Sequence, residues 1–271
     1  MSTTTAVLGT PAPPSGTRRR VRAMRAQATA AAVRLLARST PYLEAEMLGL
    51  RELIAPGSVC VDVGAAAGLY TQTLSQLAGP TGQVHSIEPL AFAHPGWSRI
   101  LRAYAAANVQ RHQLALGARP GRENMSVPIG RHGPVTGRSF LDSDAQGLGA
   151  NAEFGHQLAV TVPVETLDGL CARIGAPRLD FVKIDVEGAE LFVLHGGEKV
   201  IGAFRPTLLV EIEARHTARY AHRPQDVQNW LVARGYTMHV WERGWRPADD
   251  VCTHTRNYLF RPAPSTDRSA A

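Results

Sequence analysis

The chain has 271 residues, is 44% hydrophobic and carries a formal charge of +6, enough for one packed α/β domain with extensions. The positive charge lies at one end. Residues 1–43 hold seven arginines and no acid, and the rest holds 22 basic against 23 acidic residues, so the folded part is nearly neutral and gives no support to a basic nucleic-acid groove. Cys60, Cys171 and Cys252 are widely spaced, with no CxxC or Cys/His pair at zinc spacing; this excludes a disulfide framework and fits reduced thiols in a cytoplasmic protein.

Residues 1–16 are rich in Ser, Thr, Pro and Gly and read as disordered. Thr17 to Arg38 is Ala- and Arg-rich and reads as a helical extension, so that residues 1–40 stand apart from a domain over 41–261 and a polar tail over 262–271. Arg34 interrupts the one apolar segment near the N-terminus, which argues against a signal peptide. No apolar run approaches the ~20 residues that span a bilayer. A helix is expected after Ser39-Thr40-Pro41, proline being favoured in a first turn, with Leu43, Met47, Leu48 and Leu50 as its apolar face.

The chain is organised around Val59-Cys60-Val61-Asp62-Val63-Gly64-Ala65-Ala66-Ala67-Gly68-Leu69-Tyr70-Thr71. A short apolar run breaks into a small-residue turn, then resumes with Leu69, Tyr70 and Leu74 at helical spacing: strand, tight turn, helix. No side chain larger than a methyl stands between Gly64 and Gly68, so a ligand can lie on bare backbone. Gln83 to Ile87 reads as a second strand ending in Glu88 and Pro89, and Glu88 falls 20 residues after Gly68. A carboxylate there can accept both hydroxyl protons of a ribose. Alone, the glycines fit an ordinary loop and Glu88 a solvated strand end; in this order and spacing they indicate a nucleoside-binding unit. The pattern is not G-x-G-x-x-G, and Asp62 precedes the first glycine, which suits the ammonium of S-adenosylmethionine better than a pyrophosphate.

After Glu88 come a loop with Phe92, His94 and Trp97, a helix from Trp97 to Ala107 closed by Asn108, and a third strand from Val109 to Leu116. Residues 117 to about 158 show little periodicity, and a stretch of that length is expected to be a functional loop, here facing the substrate. Ala159 to Val164 alternates and reads as an edge strand, since Pro163 cannot donate to a ladder. A short helix carries Leu167, Leu170 and Ile174; Leu179 to Asp185 reads as a buried strand turning through Val186-Glu187-Gly188-Ala189-Glu190 into a helix. Thr207 to Glu213 is the next strand, a helix with Val227, Trp230, Leu231 and Val232 closes at Gly235, and Tyr236–Trp241 and Thr255–Phe260 form a final strand pair.

These residues resemble the FkbM-type family of S-adenosylmethionine-dependent methyltransferases. The resemblance rests on Val61-Asp62-Val63-Gly64 with Gly68-Leu69-Tyr70-Thr71, on Ser86-Ile87-Glu88-Pro89, on Thr166-Leu167-Asp168, on Phe181 to Glu190 followed by Leu194 and Gly196, and on Glu211-Ile212-Glu213. It implies a class I methyltransferase fold: a doubly wound, mostly parallel seven-stranded sheet with a reversed last strand. It also implies methylation of an oxygen, often a sugar hydroxyl in a glycolipid, polysaccharide or specialised metabolite. One departure stands out. The third strand of such proteins often ends in Asp or Asn near the adenine, whereas this chain reads Ala115-Leu116-Gly117-Ala118. The candidate cofactor contacts are Asp62, Gly64, Ala65, Gly68, Tyr70, Thr71, Glu88, Pro89, Leu116 and Asp185.

Methyl transfer needs an activated oxygen in line with the sulfonium methyl. Lys183, Asp185 and Glu187 alternate, so they are expected on one side of a strand end, with Glu211 and Glu213 on the next strand. Such a group could orient the acceptor hydroxyl, deprotonate it, or hold a hard cation such as Mg²⁺ at Asp185 and Glu211; a Lys183–carboxylate pair with acids favouring a helix N-terminus is the structural alternative. His216, expected in a loop above the same strand end, is a further candidate base. The expected partner is a small-molecule or glycan acceptor, not a nucleic acid. A nicotinamide-dependent oxidoreductase and a non-catalytic binding module are the competing readings.

Overall fold

The computed structural model describes residues 44–90, 107–252 and 254–264. The expected helix over Thr17–Arg38, the loop with Phe92, His94 and Trp97, and all but the last residue of the helix after it lie outside the described residues, as does the tail from 265. In chain order, a 3-10 helix over Ala45–Glu52 leads to β1 (Val59–Val63), α1 (Leu69–Ala78), β2 (Gln83–Ile87) and β3 (Val109–His112). Then come β4 (Ala115–Leu116), β5 (Gly121–Gly130), β6 (Gly133–Pro134), β7 (Phe140–Leu141), β8 (His156–Glu165) and α2 (Leu167–Ile174). The remainder is β9 (Phe181–Ile184), α3 (Glu190–Gly196), α4 (Glu198–Phe204), β10 (Thr207–Glu211), α5 (Ala214–Thr217), α6 (Pro224–Val232), β11 (Tyr236–Trp241), β12 (Trp245–Pro247) and β13 (Asn257–Pro262).

The main sheet has eight strands in the order β12-β11-β13-β10-β9-β1-β2-β3. The run from β3 to β10 is parallel. β13 inserts antiparallel between β10 and β11, the expected reversed strand. An eighth strand, β12, hairpins onto β11 and was not anticipated. β1 and β9 are buried on both faces, which is why they read as apolar runs. Side chains alternate along each strand: Val61, Val63, Val182 and Ile184 join the core under α2, α3, α4 and α6, while Cys60 and Phe181 join the core under α1 and the 3-10 helix. Asp62 and Lys183 occupy positions of that second face and are register partners.

Three expectations change on the far side of β2. The third strand, expected as one piece to Leu116, divides: Val109–His112 pairs with β2, while Ala115–Leu116 crosses into a second sheet. The stretch expected to be irregular builds most of that sheet, ordered β4-β8-β5-β6 with β7 also on β5. Residues 159–164 belong to the longer β8, which lies between β5 and β4; it is an edge from His156 to Pro163 and gains β4 only at Val164 and Glu165. Asn108 reaches back to the end of α1: its Nδ2 donates to the carbonyls of Ser75 and Gly79, which also accept the amides of Gly79 and Gly82. Among the described residues no helix is long and apolar enough to cross a membrane.

Candidate active site

The glycine turn after β1 is fastened from both sides. The amides of Gly64 and Ala65 donate to the carbonyl of Ile87. Gly64 has φ +76, and a Cβ there would sit 1.8 Å from the Asp185 carbonyl oxygen, so only glycine lets the turn lie against the end of β9. Glu88 reaches back with one carboxylate oxygen to accept the Ala66 amide and with the other to accept the Leu90 amide, each at 2.9 Å. A carboxylate offers about four acceptor sites, so holding the turn is compatible with holding a ribose diol.

Two clefts open at the carboxyl ends of the parallel strands and meet at Gly64, Ala66, Gly137 and Asp185. The first, about 750 Å³, has Glu88, Pro89 and Val186 on one side and an apolar wall of Leu90, Leu114, Ala115, Leu116, Met125 and Leu141 on the other. This wall is apolar, and the third strand contributes no acid to it. Ala115, Leu116, Met125 and Leu141 come from the second sheet; Leu116 was among the expected contacts, whereas Met125 and Leu141 carried no readable pattern. Ser139 also lines it, and its buried Oγ has no partner among the described residues. The second cleft, about 1070 Å³ and open to solvent, is lined by Asp62, Ala65, Ala67, Tyr70, Lys183 and Glu44. Gly68 and Thr71 line neither. Gly68 starts α1 in the left-handed region, and the Thr71 hydroxyl donates to Asp62 Oδ2 at 2.5 Å, so Thr71 aims the aspartate and does not face the cleft.

At the junction stands a cluster of acids. Lys183, fully buried, places Nζ 3.3 Å from Asp185 Oδ2, donates to Asn257 Oδ1 at 2.9 Å and lies 5.1 Å from the Tyr70 ring centre. The Tyr70 hydroxyl donates to Glu44. The expected alternation therefore holds from Lys183 to Asp185 and stops there. Glu187 lies past the strand in the left-handed region, φ +59, and lines only the first cleft. Gly188 follows at φ +108, where a Cβ would be 2.4 Å from the His216 carbonyl oxygen; the turn thus packs directly on α5. Glu190 Oε1 accepts the amides of Val186 and Gly188 and fixes the turn. His216 is not in an exposed loop but within α5, 2% exposed, with Nε2 3.1 Å from Glu187 Oε2. Glu213 is turned away to Arg215 and Arg256.

The Methyltransferase FkbM domain matches residues 62–238 of this sequence. The chain belongs to the FkbM methyltransferase family. It is 24% identical over 202 residues to "Methyltransferase 1" of Beauveria bassiana, covering 71% of this chain and 77% of that one. Among solved structures it is similar to an FkbM methyltransferase from Methylobacillus flagellatus (TM-score 0.46, 18% identity, 90% of this chain and 58% of that one). It is also similar to the O-methyltransferase TomG of Streptomyces achromogenes (TM-score 0.43, 13% identity, 88% and 90%). The present chain thus spans little more than half the length of the Methylobacillus protein. As a member of the family it is a methyltransferase.

The electrostatics of this FkbM site follow from burial. Asp62, buried, has its carboxyl raised to about 6 despite the Thr71 hydrogen bond, so a cationic ligand group beside it is favoured. Burial also opposes the Lys183 charge, but Asp185, Glu44 and Glu211 outweigh it and keep the ammonium. Asp185 and Glu211 share a proton: burial and the Asp185 charge push Glu211 up to about 11, while Lys183 overcomes burial to keep Asp185 ionised. Burial, then Asp185 and Glu190, raise Glu187 to about 8; burial also raises Glu190 to about 7. Burial lowers His216 to about 4, leaving a neutral imidazole at pH 7. Glu44 was missed in the sequence because it stands on the polar side of an apparently ordinary amphipathic helix; only its approach to Tyr70 makes it part of the site.

Proposed function

We propose that this methyltransferase moves the methyl group of S-adenosylmethionine to a hydroxyl of a small-molecule acceptor, in keeping with the resemblance to enzymes that methylate sugar hydroxyls in glycolipids, polysaccharides or specialised metabolites. The observation that carries the reading is the junction of the two clefts. The adenosine fits the apolar first cleft with its ribose on Glu88. The methionyl group fits the second cleft with its ammonium near Asp62. The sulfur then falls between them, next to Asp185 and below Glu187 and His216. In the reaction the acceptor oxygen bonds to the methyl carbon, the carbon–sulfur bond breaks with its electron pair left on sulfur, and the hydroxyl proton passes to a group of this cluster. Carboxylates and an imidazole suit a hydroxyl, which loses its proton far less readily than a thiol. The near-neutral charge of residues 44–271 supports a small acceptor over a nucleic acid.

The test is to incubate the full chain with methyl-deuterated S-adenosylmethionine and a panel of hydroxylated acceptors, sugars and glycosides foremost. The expected result is a trideuteromethyl ether and one S-adenosylhomocysteine per transfer. Methylation of amines or RNA, with no hydroxyl product, would overturn the proposal.

A further inference from the structure

The geometry points to a divalent transition-metal site formed by Glu187, Glu211 and His216 on the acceptor side of the cleft. One ligand atom from each of the three lies within 4.8 Å of the other two. His216 is 2% exposed, and its Nε2 has no hydrogen-bond partner among the described residues; neither has Glu187 Oε2, 3.1 Å away. Buried polar atoms are rarely left so, and two facing atoms at this distance are each in want of the same thing. Ligands about 2.1 Å from an ion stand about 3 Å apart when adjacent in its shell, so Nε2 and Oε2 already have the spacing of two neighbouring ligands.

The neighbouring charged groups are already engaged: Glu213 is paired with Arg215 and Arg256, Arg138 with Glu153, and Arg219 Nη1 donates to the Glu187 carbonyl. A second acidic group, Glu44, Asp185 and Glu211, also has its oxygens within 4.8 Å, and it includes the pair expected from sequence to hold a hard cation. There, however, the Lys183 ammonium already lies on Asp185 and the Tyr70 hydroxyl on Glu44. The imidazole in the first group favours an ion such as Zn²⁺, Mn²⁺ or Fe²⁺ over Mg²⁺. Glu187, which lines the cleft, would place the ion within reach of the acceptor; that purpose rests on the proposed methyl transfer, while the binding does not.

The experiment reads metal directly, without turnover. The full chain is stripped with chelator, freed of any affinity tag and titrated with CoCl₂ and with ZnCl₂. Saturable binding of one ion per chain is expected, with visible Co²⁺ absorption that Zn²⁺ displaces. His216→Ala and Glu187→Gln should each weaken Co²⁺ by at least about 100-fold, since even groups behind a ligand are worth 10–100-fold. His216→Gln serves if the alanine variant does not fold. Absence of stoichiometric Co²⁺ and Zn²⁺ binding by the unaltered chain would overturn the assignment. So would unchanged binding in folded His216 variants, or binding lost in Asp185→Asn alone.

Discussion

Alanine at Gly64 tests the central contact of the site, and Gly68 supplies its control. Both glycines are left-handed, at φ +76 and +86, so alanine at either incurs about 1–2 kcal/mol of backbone strain. They differ in what the new methyl meets. At Gly68 the nearest heavy atom is Thr71 Cβ at 3.9 Å, an ordinary contact; at Gly64 it is the Asp185 carbonyl oxygen at 1.8 Å. That oxygen must retreat by more than 1 Å, which drives the end of β9 away from β1, and overpacking of this kind adds about 1–3 kcal/mol. The expected losses are therefore about 1–2 kcal/mol for Gly68→Ala and about 2–5 kcal/mol for Gly64→Ala. At roughly 2–4 °C per kcal/mol for a domain of this size, Tm should fall by about 2–8 °C and about 4–20 °C respectively, with Gly64→Ala the lower of the two. Binding should diverge further. Gly64 and Asp185 line both clefts and Gly68 neither, so S-adenosylhomocysteine affinity should fall at least tenfold in Gly64→Ala and stay near that of the unaltered chain in Gly68→Ala. Thermal melts and titration calorimetry on both variants give the comparison. Equal Tm losses, or full affinity in Gly64→Ala, would refute the role given to the Gly64–Asp185 contact.

Three more outcomes are expected. Asp185→Asn should lower turnover at least about 100-fold while cofactor affinity changes much less; a fully active variant would remove Asp185 from the chemistry. Glu88→Ala should weaken S-adenosylmethionine by about 1.5–3 kcal/mol, the scale of charge-assisted hydrogen bonds, and should lower Tm too, because the amides of Ala66 and Leu90 lose their acceptor; calorimetry showing unchanged affinity would take Glu88 out of the ribose site. His85 is buried with Nδ1 3.1 Å from His112 Nε2, and burial, then His112 and Arg173, lower its pKa to about 4. Between about pH 6.5 and 4 the unfolded chain takes up a proton that the folded chain refuses, so stability present above that window is lost on acidification, on the order of 2 kcal/mol. Urea melts across this range should show the slope in the unaltered chain and a flatter one in His85→Asn.

The parallel strands were legible because burial on both faces writes them as mostly apolar runs, Val59–Val63 and Phe181–Ile184, each broken by a single charged residue, Asp62 and Lys183. The glycine turn and Glu88 were legible because their chemistry depends on backbone and strand order alone. The second sheet was legible only at Ala159–Val164: β5 is buried only at Ser126, Val127 and Pro128, so its strand alternation is drowned by exposed polar positions. Strand periodicity also overreached at Glu187, where the backbone turns left-handed after Asp185. No local signal marks His216 as buried, since its cover comes from a turn 28 residues earlier in the chain.

The place where the second sheet leaves and rejoins the main body has a consequence for how acceptor preference can change. β4 and β8 are parallel neighbours, Ala115 beside Val164 and Leu116 beside Glu165, so everything from 117 to 163 departs and returns through one hydrogen-bonded gate. A segment closed in this way can be lengthened at small entropic cost, about 0.6 kcal/mol for each doubling of a flexible loop. It can be exchanged between relatives as a cassette without altering the order of the main sheet. It carries Met125, Thr136, Gly137, Ser139 and Leu141 into the first cleft, so a graft that replaces this segment replaces part of that cleft's wall with it. A chimera that keeps these five residues and varies the rest should retain its cofactor while its acceptor changes.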